Sequence, residues 1–233
     1  MPSSPLSPAF LAPTLATVAA FAPPAAAGWA RRSFLGDPAG QVATCWLVTA
    51  LVGLANFVAY FYHWLPRSFP LFPFAFGVMP LLLAPPLLTW IGRDAARWRW
   101  AFVAAWLAIT AALLAALGTG REFVVVMDPL MSALLAALSL WALAAQVRRA
   151  PASIARHDWF WILVGQVTYF ATNMIRVPLV ETLVARHWAA AIAVSNGIML
   201  LYCVSYVVIA RGMLVRDPEP RAVRLAAPSM GAA

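Results

Sequence analysis

The sequence predicts an all-α protein, a polytopic membrane bundle of seven transmembrane helices with its N-terminus outside and its C-terminus in the cytoplasm. Three observations lead there. Hydrophobic residues fill 64% of the 233 positions and charged residues only 10%, whereas a soluble domain carries about 25% charge. Apolar stretches recur at 10–30, 43–63, 70–90, 98–118, 128–147, 159–180 and 188–210, each near the roughly 20 residues that cross a hydrocarbon core of about 30 Å. The segments between them carry arginine unevenly. Lipid offers the backbone no hydrogen bonds, so each stretch must be helical, and each is too long for a barrel strand.

Taken in order, the first stretch is the weakest. Pro13, Pro23 and Pro24 interrupt it, and paired prolines kink a helix. A re-entrant or interfacial segment is the alternative, and the bundle then has six spans. No basic residue precedes Arg31, an order that argues against a cleaved signal peptide. The second stretch places Thr49, Gly53, Asn56, Tyr60 and His63 on one helix face. The third holds Pro80, Pro85 and Pro86, which bend a helix and free carbonyls. The fourth has few hydrogen-bonding groups. The fifth sets Ser132, Ser139 and Gln146 at heptad spacing. The sixth opens on Asp158, an expected N-cap, and carries the richest stripe: Gln166, Tyr169, Asn173 and Arg176. The seventh carries Ser195, Tyr202 and Tyr206, with Asn196 and Ser205 beside them. Stretches two, five, six and seven are expected to face one another, and one, three and four to meet more lipid. Residues 1–210 read as one membrane domain, and 211–233, rich in Pro and Ala, as a disordered cytoplasmic tail.

Charge sets orientation and limits function. The net charge of +8 comes from arginine alone. Arg31, Arg32, Arg93, Arg97, Arg99, Arg148, Arg149, Arg156 and the four arginines of the tail fall on one side; Arg67, Arg121 and Arg186 fall on the other. The basic side is cytoplasmic, which indicates a multi-pass protein of the cell (inner) membrane. No aromatic-basic interleaving suggests nucleic acid, so the expected partners are the lipid bilayer and another membrane or cytoplasmic protein. GxSxG, HExxH and Walker patterns are missing from the sequence, and no enzyme is expected. His63, His157 and His187 form no HxxxH or CxxCH pattern, and Cys45 and Cys203 no CxxC. No metal and no cofactor is expected. Asp128, Asp158 and Glu181 fall at span ends, which leaves no carboxylate for mid-membrane proton relay.

The polar positions that converge are Asn56, Tyr60 and His63 on the second stretch and Tyr169, Asn173 and Arg176 on the sixth. They form a candidate ligand site in the outer half. The alternative is that polar residues only tie helices together, at about 0.6 kcal/mol per bond. Arg176 lies about 25 Å from Trp159 at helical rise. It reads either as an interfacial arginine or as the counter-ion of an acidic ligand or of Glu181.

Seven helices with an outside N-terminus resemble microbial rhodopsins, but the chain has no lysine to carry a retinal Schiff base. A second resemblance covers roughly 128–212. The runs DPLMSALLAALSLWALAAQVRR, HDWFWILVGQVTYFATN and VSNGIMLLYCVSYVVIARGML look like uncharacterised bacterial seven-helix membrane proteins, some of them associated with two-component signalling. That resemblance implies a receptor-like or regulatory protein that senses a small or membrane-borne ligand and acts through a partner. A small-solute transporter and an accessory subunit of a larger membrane complex are the other readings.

Overall fold

The computed structural model describes residues 23, 26, 27, 29, 38–61, 71–92, 97–118, 120–150, 153–186 and 188–215. Most of the stretch 10–30, and the tail beyond 215, lie outside the described residues. Among those described, six long helices follow one another: α1 Pro38–Phe61, α2 Leu71–Ile91, α3 Arg99–Leu117, α4 Arg121–Arg149, α5 Asp158–Arg186 and α6 Trp188–Leu214. A 3₁₀ turn, Ile154–Arg156, lies between α4 and α5.

Length and apolarity explain the helices. The segments Arg99–Leu117, Glu122–Arg149 and Ala193–Leu214 are each long and apolar enough to cross a membrane, and together they point to a multi-pass membrane protein. The 29 residues of α4 and of α5 correspond to about 43 Å of helix, enough for the hydrocarbon core and both headgroup layers. The helix α4 begins seven residues before the expected stretch at 128.

Packing follows a simple order. The helix α5 lies between α4 and α6, α2 packs on α4, and α1 packs on α2 and reaches back to α5 and α6. The helix α3 leans on α2 and α4 from outside. Its mean hydropathy is 2.1, yet Trp106 is its one buried residue. An apolar helix exposed on nearly every face needs lipid around it.

One expectation is corrected. The third stretch, now α2, does not face mainly lipid over 78–91, where its side chains are described: Met79, Leu83, Ala84, Leu87, Trp90 and Ile91 are buried. A helix without a polar stripe can be interior, since hydrocarbon packs on hydrocarbon without hydrogen bonds. Pro80, Pro85 and Pro86 all sit within this one continuous helix. Its final carbonyls are capped from α4. Gln146 Nε2 donates to the Trp90 carbonyl at 2.5 Å, and the Arg149 guanidinium donates to Trp90 and Ile91 at 3.2 and 2.5 Å. Donors on a neighbouring helix thus supply what the last turn cannot make for itself. The chain leaves at Gly92 with φ +145, where a Cβ would stand 2.8 Å from an Arg149 nitrogen.

Two glycines bring α5 and α6 into backbone contact. A Cβ on Gly165 would meet the Ser205 carbonyl oxygen at 2.9 Å and the Ile209 amide nitrogen at 3.0 Å. One on Gly212 would meet the Ile162 nitrogen at 2.7 Å and the Asp158 oxygen at 2.9 Å. The contacts are reciprocal, one small residue on each helix, the arrangement that lets membrane helices approach closely. Gly165→Ala and Gly212→Ala are each expected to lower stability by about 1–3 kcal/mol, read as thermal unfolding in detergent. Gly197→Ala, where a Cβ meets nothing within 4 Å, is expected to leave it unchanged.

Candidate functional site

The helices α4 and α5 run antiparallel with their polar residues in register. Along α4, Ser139 donates to Gln166 Oε1 on α5 at 3.3 Å. One heptad away, Ser132 accepts a bond from Asn173 Nδ2 at 2.7 Å. One turn further stands Asp128. The heptad stripe of α4 and the three-four stripe of α5 are therefore two halves of one interface.

Asp128 is the centre of the site. Its residue is 0% exposed, and about 10 Å of helix separates it from the start of α4 at 1.5 Å per residue. The helix does not begin at this charge: α4 continues past it through Met127 and Phe123, both fully buried. Its Oδ1 accepts from Asn173 Nδ2 and, at a long 3.5 Å, from Ser132 Oγ. Its Oδ2 accepts from the Arg176 guanidinium at 3.2 Å. Arg176 is consequently paired with an internal carboxylate; Glu181, the other partner expected for it, has its side chain outside the described residues. The helix α6 closes the network, as the Tyr202 hydroxyl donates to Asn173 Oδ1 at 2.5 Å.

An aromatic group lies on the Gln166 side of this network. Tyr169 stands 5.0 Å from Tyr202, 5.4 Å from Tyr206 and 5.1 Å from Trp46, measured between ring centroids. Trp46 also meets Tyr206 edge-on at 5.5 Å. These rings fasten α1 to α5 and α6, where edge and tilted contacts add to burial. Two buried donors, Trp46 Nε1 and Gln166 Nε2, have no hydrogen-bond partner among the described residues.

Of the candidate residues, Tyr169, Asn173 and Arg176 come together here. Asn56 and Tyr60 are helical positions of α1 whose side chains, like His63 altogether, lie outside the described residues. Sequence reasoning missed Asp128, Ser132, Tyr202 and Trp46 as members of the site. Ser132 and Tyr202 were visible as polar stripe residues. Asp128 also had a signal: it lies one turn before Ser132 on the same face, the neighbour that i, i+4 spacing requires.

Among the described residues the site is, chemically, one carboxylate and one guanidinium held by neutral donors in an apolar surround. Removing one member of such a pair leaves a charge in hydrocarbon. Arg176→Ala is expected to cost about 3 kcal/mol, the lower end for a buried pair, because the arginine side chain is 40% exposed. The double variant Asp128→Asn/Arg176→Gln is expected to recover most of that loss. A cycle of the four proteins by denaturant unfolding measures the coupling, and simple additivity would show that the pair does not act as one unit. Tyr202→Phe is expected to cost about 0.6–1.7 kcal/mol in the same assay. The chain matches no protein-family model, no curated protein and no solved structure.

Proposed function

We propose that the chain is a receptor-like or regulatory protein of the cell inner membrane. It has seven spans, an outside N-terminus and a cytoplasmic C-terminus, and acts through a partner protein. The observation that carries this is the Asp128–Arg176 pair. An ion pair within membrane helices is costly, and its default reading is functional. Three helices meet at this one through Asn173 and Tyr202. From there α5 and α6 run on toward Gly165 and Gly212, where they touch backbone to backbone. A shift of α5 against α6 at the network therefore reaches Asp158 and Arg211 at the basic end. That end is the one that would face a cytoplasmic partner, and it carries Arg97, Arg99, Arg148, Arg149 and Arg156.

The opposite end supports sensing. Arg176 is half-exposed and, by the arginine distribution, belongs to the outer half, within reach of a small or membrane-borne ligand. Small-solute transport is the second reading. Its supporting observation is the same buried carboxylate, since such groups also mark ion and proton pathways.

Purification in mild detergent with mass spectrometry of associated proteins separates the two. The expected result is a stoichiometric partner that is retained by the wild type and lost, or held constitutively, when Arg176 is replaced by Gln in protein that still elutes as a folded species. Isolation of the chain alone, together with solute uptake by liposomes containing it, would sink the receptor reading. A C-terminal reporter fusion is expected to report a cytoplasmic end, and an outside one would overturn the orientation.

A further inference from the structure

The central ion pair is engaged from one side only. Arg176 gives Asp128 a single hydrogen bond, at 3.2 Å, where an arginine and a carboxylate commonly make two in parallel. Its Nε is buried without a partner among the described residues. Its side chain is 40% exposed and that of Asp128 0%. The Arg176 side chain is thus partly exposed and keeps one donor, the buried Nε, without a partner among the described residues, while the carboxylate stands wholly inside.

Asp128 does not depend on Arg176 for hydrogen bonds. Asn173 and Ser132 donate to its other oxygen. What Arg176 supplies is charge. Among the described residues, the groups that meet Asp128 are Ser132 on α4, Asn173 and Arg176 on α5 and, through Asn173, Tyr202 on α6, with the Tyr169 phenol beyond. Arg176 is the one cation in that set. A carboxylate enclosed by apolar helices cannot remain ionised once its counter-charge departs; it neutralises instead.

We propose that Arg176 is an exchangeable counter-ion. An anionic oxygen ligand, of the phosphate class, approaches the partly exposed Arg176 side chain and draws the guanidinium off Asp128, freeing its Nε to donate as well, while Asp128 takes up one proton in its place. The proposal rests on the ligand-sensing reading above. The balance is simple: one anion and one proton enter, the carboxylate becomes a carboxylic acid, and no other bond forms or breaks. The acid fits the existing network, because Oδ1 can remain the carbonyl oxygen that accepts from Asn173 and Ser132 while Oδ2, where the guanidinium stood, carries the proton. Binding of the anion then strengthens as pH falls, up to about tenfold per unit, because a proton is taken up with it. The phosphate could come from an outer-leaflet headgroup or from solution.

The test uses the full chain in phosphatidylcholine liposomes, with inorganic phosphate as probe in one arm and phosphatidylglycerol in the other. Infrared difference spectra read the protonated-carboxyl band, and an indicator dye reads proton uptake. The band and about one proton per chain are expected in at least one arm, and which arm responds identifies the source. Asp128→Asn should lose the band. Arg176→Gln should show it before any probe is added and respond to neither. Arg176→Lys keeps the charge without the planar edge, serves as the folding control, and should respond more weakly than the wild type. A band raised by neither probe, or retained in Asp128→Asn, overturns the exchange. If that happens while the partner protein still copurifies, the sensing reading stands without it; if no partner is found and solute is taken up, the sensing reading itself fails.

Discussion

Everything in the interior follows from one constraint: a polar group among apolar helices must find its partner within the protein. The α4–α5 interface meets that constraint by register. Ser139 faces Gln166, Ser132 faces Asn173, and Asp128 takes Asn173 and Arg176 together. A slip of α5 by one turn would separate all these pairs at once. The same constraint governs the end of α2, where Gln146 and Arg149 take up carbonyls that the helix itself cannot satisfy. One helix, α4, therefore supplies polar partners to two neighbours along most of its length.

Such an interior is specific more than it is strong. Interhelical hydrogen bonds in membranes are individually weak, and an ion pair gains little over apolar packing of equal volume. Their value lies in excluding other arrangements. The close contact of α5 with α6 adds shape to that specificity, since Gly165 and Gly212 leave no space for a larger residue. Polar matching with α4 and close glycine contacts with α6 thus fix the position of α5 on two faces.

Much of this was legible in the sequence, for physical reasons. Spacing by three and four exposes a stripe whichever helix it meets, so Gln166, Tyr169, Asn173 and Arg176 could be read as one face. The poor attachment of α3 was legible too, because a helix with no polar stripe and high hydropathy has little reason to leave lipid. Two things were not legible. The interior position of α2 was hidden because apolar residues suit lipid and core equally; only contacts tell them apart. The burial of Asp128 was hidden because the unbroken apolar stretch starts at the charge itself. Helix continues through REFVVVM, and a carboxylate that has a cation opposite need not end a span. The partner was visible, but the pairing across 48 positions of chain was not.

The looseness of α3 bears on how the protein is made. The helices α2 and α4 are spatial partners, yet α3 is synthesised between them. As α2 leaves the ribosome its last carbonyls have no donor, since Gln146 and Arg149 lie more than fifty residues downstream. The intervening helix must therefore pass outward into lipid before α2 and α4 can meet. Its scarcity of polar residues suits that transit: it can enter the bilayer by itself, wait without a partner, and leave the path between its neighbours clear.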